Sequence, residues 1–295
     1  MNKITGYVFS GGGKRLRPAL CFLFAKALNN NVISSAHTHS GIAIELIHTA
    51  TLIHDDVIDE TKIRRGRETV HQMWDNKTAI IAGDFLLAKA LVNLAHTNNP
   101  TVIELFANIM NEICVGEMQQ SLQNYASVSI QEYIEKSKQK TAMLFIAAAK
   151  SAALLTPDID NEVISAVEAY ALNFGISFQI VDDILNFTSS EANSGKPSGI
   201  DLKNGIITAP ALFALEEYEL KGDSRLKELI QSQFTEEETF NRAMELIFHT
   251  NGISRAQDLA RYYADLANKS LEIIYDNHCK NSLQNLLTFV LERKY

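Results

Sequence analysis

The chain has 295 residues, 46% of them hydrophobic and 21% charged, with a formal net charge of -8 at pH 7. That composition supplies a sizeable core and excludes intrinsic disorder, and its acidic balance argues against general nucleic-acid binding, which needs a basic face. Cys21, Cys114 and Cys279 are too few and too widely spaced for a disulfide framework or a metal-ligand motif.

The first ten residues show no charged-then-apolar leader pattern, and no uninterrupted apolar run has membrane-spanning length. A soluble cytoplasmic protein is expected. A glycine-rich loop with cations, Ser10 to Pro18, comes first. Apolar residues then recur at helical spacing over 41–59, 78–96, 101–124, 130–155 and 160–187. A second loop of glycine and lysine covers 194–201, and helical patterns resume near Ile207. Thr235 and Glu238 have the spacing of a capping box, and Gly252 separates two late helices. Strand alternation is scarce and there is no repeat of fixed period. The expected fold class is all-α: one domain over 1–295, a multi-helix bundle around a central cavity.

Two acidic clusters end apolar helices. Asp55, Asp56 and Asp59 follow Ile42 to Ile53, and on a helix Asp55 and Asp59 are one turn apart. Carboxylates that converge beside an apolar interior repel unless a cation joins them, and an all-oxygen ligand set suits Mg²⁺ bridging to phosphate. Asp182 and Asp183 repeat the pattern, with Asn186 where a third acid would match the first cluster. Cations lie nearby in sequence: Lys14, Arg15 and Arg17 in the first loop, Arg64 and Arg65 after the first cluster, Lys140 on a mid-chain helix and Lys196 in the second loop. Arginine holds phosphate through a fork of donors and lysine as a point charge, so this chain is suited to a metal-bound diphosphate. Arg15, Lys62 and Arg67 read as ordinary surface charges.

The sequence resembles the trans-type prenyl diphosphate synthases, the polyprenyl synthetase family, and among them the bacterial medium- and long-chain members. The resemblance rests on Gly12-Gly-Lys-Arg-Leu-Arg-Pro18, Glu45 through Asp59, Arg64-Arg-Gly-Arg67, Ala82-Gly-Asp-Phe-Leu-Leu87, Gly116-Glu117, Lys140-Thr141, Phe178-Gln-Ile-Val-Asp-Asp183, Gly195-Lys-Pro197 and Gly199-Ile-Asp-Leu202. It implies the isoprenoid synthase fold and head-to-tail condensation of isopentenyl diphosphate with an allylic diphosphate. By resemblance Asp55, Asp56 and Asp59, with Asp182 and Asp183, hold Mg²⁺. Arg64, Lys140, Thr141, Gln179 and Lys196 contact the allylic diphosphate, and Lys14, Arg17, His48 and Arg65 bind isopentenyl diphosphate. Asp55, Asp56, Asp59, Lys140 and Asp182 are the catalytic set. A homodimer is implied, a dissimilar small subunit being the alternative, with membrane contact only through the lipophilic product.

Three departures stand out: Asn186 in the second motif, Ile206 where many relatives carry lysine, and only ten residues before Gly11, where relatives carry a fuller helical segment. A terpene cyclase would not need the second diphosphate set, and an inactive subunit would be expected to lose the aspartates. Short-chain relatives place a bulky aromatic four or five residues before the first aspartate, where this chain has Thr51 and Ala50. With Ile47 and Ile44, these positions would line a tunnel descending from Asp55 at about 1.5 Å per residue. A medium-to-long product of the kind used for quinone side chains is therefore expected.

Overall fold

Apolar residues at helical spacing shape the long elements of the computed structural model, which describes residues 2–120, 129–188 and 198–293. In chain order the elements are α1 (Asn2–Ser10), α2 (Leu16–Leu28), α3 (Ser35–Ile58), β1 (Ile63–Arg64), β2 (Arg67–Glu68), α4 (Val70–Met73), α5 (Asn76–His96) and α6 (Pro100–Gln120). There follow α7 (Ile130–Ser137), a π-helical turn (Lys138–Ala142), α8 (Met143–Leu154), α9 (Asn161–Thr188) and α10 (Ile200–Lys203). The chain closes with α11 (Ala209–Leu220), α12 (Arg225–Gln231), α13 (Glu237–Phe248), α14 (Gly252–Ser270) and α15 (His278–Glu292). Among the described residues the only sheet is the two-stranded β1–β2 hairpin. The residues group into two compact units. The first is Met1–Ile109, Leu144–Glu168 and Ile273–Leu283; the second is Met110–Met143, Ala169–Glu272 and Gln284–Tyr295.

In the first unit α3 is the organising helix. Ser34 caps it: the Ser34 hydroxyl accepts the His37 N–H at 3.2 Å, and His37 Nδ1 accepts the Ser34 N–H at 3.2 Å. Burial lowers the pKa of His37, so the ring is neutral, and with Nδ1 accepting, Nε2 donates to the Ala152 carbonyl on α8 at 3.0 Å. Ser40 and Ser151 add a 2.7 Å hydrogen bond between the same two helices. Helix α3 packs along α5 through Ala50, Ile53, Ala79 and Leu86, with Ile4, Val8 and Phe9 of α1 against them. Gly83 of α5 permits this closeness, since an added Cβ would lie 2.1 Å from His54 Nε2. Helix α8 is buried on all sides from Leu144 to Ala153 except at Lys150, which pairs with Glu168 at 2.6 Å.

In the second unit Phe187, Leu202, Leu226, Phe240 and Ile247 form the core. Helix α14 turns a stripe of small residues, Ala256, Ala260 and Ala264, inward, and the Ser177 hydroxyl of α9 donates to the Ala260 carbonyl at 2.9 Å.

Two local expectations are corrected. The single helix over 130–155 is broken by the π turn. The capping box at Thr235 and Glu238 does not form, because α13 starts at Glu237 behind Glu236, which makes no side-chain cap. Gln233 and Phe234 instead take positive φ angles of 57° and 51°, a turn that buries Phe234 edge-on against Phe240 at 5.5 Å. A capping box does form at Ser129 and Glu132, at the start of α7.

Candidate active site

The first aspartate cluster closes α3. Asp59 is the C-cap residue, its N–H on the Asp55 carbonyl at 2.8 Å, so Asp55 and Asp59 lie one turn apart as their spacing requires. Asp55 is half-buried and Asp59 exposed, whereas Asp56 is buried and accepts from Arg64 Nε at 2.7 Å. The hairpin delivers that arginine. Its turn residues Arg65 and Gly66 both have positive φ, 52° and 72°, the conformation that matches the twist of two short antiparallel strands. Ile63 pairs with Glu68 and Arg64 with Arg67. Arg65 then donates to the Gly12 carbonyl. Gly13, at φ 129°, makes room for it: a Cβ there would lie 2.7 Å from Arg65 Nη1.

A partly open pocket lies over this surface, lined by Arg15, Arg64, Arg65, Arg67, Glu45 and His48 among others. Glu45 pairs with Arg15 and Asp56 with Arg64, while Arg65 donates to Gly12 and Arg67 to the Ser10 hydroxyl at 3.0 Å. Two of the four guanidiniums thus rest on neutral groups, an arrangement suited to an anion. Arg17 donates to His48 Nε2 at 3.1 Å and stacks 4.5 Å over the Phe145 ring. Lys14 is exposed in the glycine loop. The surface-charge reading of Arg15 and Arg67 is corrected, since both line the pocket; Lys62 is exposed, as expected of a surface charge.

In the second unit a chain of side-chain contacts ends at Asp183. The Thr141 hydroxyl donates to Gln179 Oε1, Gln179 Nε2 donates to Asp183 Oδ1 at 2.8 Å, and the Tyr133 hydroxyl donates to Asp183 Oδ2. The π turn carries Lys140 and Thr141 into this group, with Lys140 Nζ 3.9 Å from Glu117 on α6. A π turn inserts one residue into a helix and is frequent at functional sites. Gly116 lets the turn approach, since its Cβ would meet the Gln139 side chain at 3.1 Å. Asp182 is half-exposed and pairs with Arg293 at 2.6 Å. Asn186 Oδ1 accepts the Asp201 N–H at 3.4 Å, which ties the segment after the second motif back onto α9. Lys196 lies outside the described residues.

Burial pushes Asp183 up to about 8; the Tyr133 hydrogen bond opposes the shift, and nearby Asp201 and Asp182 add to it. Tyr133 is itself pushed well above the usual phenol value, first by burial and then by Asp183, so it remains a donor. A buried carboxylate beside two other acids is poised for a cation, and its donor set is entirely oxygen. These residues fit a hard divalent ion that takes one or two carboxylates and completes its shell with phosphate oxygens. No group of three or more His, Cys, Asp or Glu forms a closed metal cage among the described residues.

Ala50 is fully buried in the α3–α5 cluster, Ile47 is buried, and Thr51 is half-buried with its hydroxyl on the His48 carbonyl at 2.9 Å. Sequence reasoning missed Tyr133 and Arg293. A tyrosine on a short amphipathic helix gives no pointer to an aspartate fifty residues away, and Arg293 is still farther from its partner.

The polyprenyl synthetase family profile matches residues 1–247. Over 291 residues the chain is 40% identical to solanesyl diphosphate synthase 2, chloroplastic, of Arabidopsis thaliana, across 97% of this chain and 68% of that protein. The heptaprenyl diphosphate synthase structure from Staphylococcus aureus superposes with a TM-score of 0.93 at 32% identity, covering 99% of this chain and 91% of that one. Polyprenyl synthase from Caulobacter crescentus CB15, complexed with calcium and isoprenyl diphosphate, gives 0.91 at 31% identity, covering 99% and 89%. The expected all-α isoprenoid synthase fold is borne out.

His48 is pushed down to about 2, first by burial and then by Arg17, Arg65, Arg64 and Arg15. It is therefore neutral and accepts from Arg17. In the unfolded chain the same imidazole titrates near pH 6.5. Only the unfolded state takes up that proton, so the associated stability is complete above pH 6.5 and is lost as the pH falls toward 2. The expected result is that His48→Gln shows a shallower fall in Tm between pH 7 and pH 5 than wild type, followed by circular dichroism. An equally steep fall would contradict a neutral His48.

Proposed function

The chain belongs to the polyprenyl synthetase family, and on that premise we propose a Mg²⁺-dependent, homodimeric synthase whose two sets of diphosphate-binding side chains serve chain elongation. It is a prenyltransferase that condenses isopentenyl diphosphate with an allylic prenyl diphosphate to give a longer polyprenyl diphosphate of medium or long chain. Residues 1–295 act as one synthase domain in the cytoplasm, and the product serves as a quinone side chain.

The observation that carries the assignment of roles is the charge pattern. Two pocket arginines, Arg65 and Arg67, rest on neutral groups in the first unit, and a buried acid with raised pKa lies among others in the second. Lys14, Arg17, His48 and Arg65 bind the diphosphate of isopentenyl diphosphate, His48 in neutral form and positioned by Arg17. Arg64, Lys140, Thr141, Gln179 and Lys196 hold the allylic diphosphate. Asp55, Asp59 and Asp182 are the direct metal ligands. Asp56 orients Arg64, and Asp183 lies buried beside Asp182, held by Tyr133 and Gln179. Asp55, Asp59 and Asp182 would hold Mg²⁺, which would supply charge stabilisation for the departing diphosphate. Lys140 donates toward the diphosphate oxygens, and donors fixed in advance act most strongly where water is excluded. The allylic C–O bond breaks, the alkene of isopentenyl diphosphate attacks the allylic carbon, and a proton passes to the released diphosphate. No side-chain nucleophile is required.

The homodimer is supported by α5. Ile80, Ile81, Ala88, Leu91 and Val92 share one exposed face of that helix. Helix α5 is apolar and long enough to cross a membrane, yet only 33% of its most apolar window is buried; α9 also passes the same length and composition test. Covering the rest of each large side chain would contribute roughly 1 kcal/mol. Sedimentation of Leu91→Glu is expected to give monomer where wild type gives dimer, and a wild-type monomer would contradict the proposal.

Product length is proposed to depend on Thr51, half-buried one turn before Asp55. Thr51→Phe is expected to shorten the product by blocking the path of the growing chain. Ala50 points into packed side chains, so Ala50→Phe is expected to destabilise the fold by about 1–3 kcal/mol by overpacking. The check is incubation with Mg²⁺, labelled isopentenyl diphosphate and allylic primers, followed by sizing of the products. Wild-type product that stops at fifteen carbons, or an unchanged distribution in Thr51→Phe, would refute this account.

A further inference from the structure

The end of α15 brings a buried arginine to the second aspartate pair. The Arg293 side chain is 5% exposed, and its Nη1 lies 2.6 Å from Asp182 Oδ1. Nη2 donates to the Phe178 carbonyl at 2.8 Å, and the guanidinium carbon stands 3.9 Å from the centre of the Phe178 ring. Nε is buried with no hydrogen-bond partner, a cost that a side chain of purely surface origin would not bear. Phe178 and Asp182 are four residues apart on α9, so one planar group spans a full turn of that helix.

Two of the three anchors, the ring and the carbonyl, do not involve Asp182. The guanidinium is thus a fixed body against which the carboxylate is held, rather than a mobile tail seated by it. Asp183 is turned inward onto Tyr133 and Gln179, while the Asp182 side chain is 43% exposed, so the orientation of Asp182 governs how the pair meets an incoming cation. We propose that Arg293 is a positioning residue of the second aspartate pair, fixing Oδ1 of Asp182 so that its carboxylate is preset for the divalent cation that accompanies the allylic diphosphate. This rests on the assignment of Asp182 as a metal ligand above. An arginine there has two opposing effects. Its charge repels an arriving cation, while its fork removes the rotational freedom of the carboxylate. Anchorage on Phe178 favours the second, because that anchorage needs no carboxylate and serves only to hold the fork in place. Groups that orient a metal ligand from behind commonly govern metal affinity as strongly as this requires.

The test is binding of Mn²⁺, standing in for Mg²⁺, with inorganic diphosphate and no turnover, read by electron paramagnetic resonance. Wild type is compared with Asp182→Ala, Arg293→Ala and Arg293→Lys, each checked for folding by circular dichroism. Wild type should bind and Asp182→Ala should lose most of that binding; failure of either sinks the metal assignment and this proposal together. Given that control, Arg293→Ala is expected to weaken Mn²⁺ binding by about tenfold. Arg293→Lys, which keeps the charge without the planar fork, should fall between the two and serves alone if the alanine variant does not fold. In turnover the Michaelis constant for the allylic substrate should rise while that for isopentenyl diphosphate stays unchanged. Mn²⁺ binding equal to or tighter than wild type in a folded Arg293 variant would overturn the positioning role alone.

Discussion

Carboxylates repel diphosphates, and a chain with a net charge of -8 must still hold both together. Coulomb repulsion between like charges at contact distance amounts to several kcal/mol at a partly buried site. The local architecture answers that repulsion in two ways. In the first unit it supplies guanidiniums: Arg64 neutralises Asp56, Arg15 neutralises Glu45, and Arg65 and Arg67 rest on a carbonyl and a hydroxyl. In the second unit it buries an acid beside others, with Asp183 held by Tyr133 and Gln179 and pushed up to about 8, chiefly by burial. Burial first, and then the surrounding arginines, keep His48 neutral, so that it acts as an uncharged partner there.

Several of the cations are placed by a small departure from regular structure. A two-residue turn with positive φ at Arg65 and Gly66 swings the arginines over the end of α3. A π turn carries Lys140 and Thr141 out of an otherwise continuous helix toward Gln179. Glycine at 13 gives Arg65 its space, and Gly116 does the same for the π turn. Residues in uncommon backbone conformations persist only where their surroundings over-determine them, and they cluster at working sites. Regular helices supply the rigid frame, while these irregular positions supply direction.

The long helices are legible because burial imposes a 3.6-residue period on sequence: α5 and α9 match their observed limits closely, and α3 matches at its end, while its start at Ser35 precedes the Gly41 read from the pattern. The aspartate pairs and the glycine–arginine loop were legible because their chemistry is local. What escaped has long-range causes. Tyr133 meets Asp183, and Arg293 meets Asp182, only through packing that no window of sequence records. Arg15 and Arg67 were taken for surface charges because nothing local distinguishes a guanidinium that lines a pocket from one that does not. The capping pattern at Thr235 misled because the demand to bury Phe234 set the start of α13. The resemblance singles out Ala50 by its distance from the first aspartate, a count that does not record its face on the helix, which turns toward α5.

The proposal on which the rest depends is that the aspartates of each cluster hold a divalent cation that stabilises the departing diphosphate. It is tested most directly by measuring single-turnover elongation of an allylic diphosphate in Asp55→Ala and Asp182→Ala, with helical content checked by circular dichroism. Loss of at least roughly a hundredfold in rate in both variants, with the fold intact, is the result predicted from removal of charge stabilisation in a transition state. Near-normal elongation in either one would contradict it.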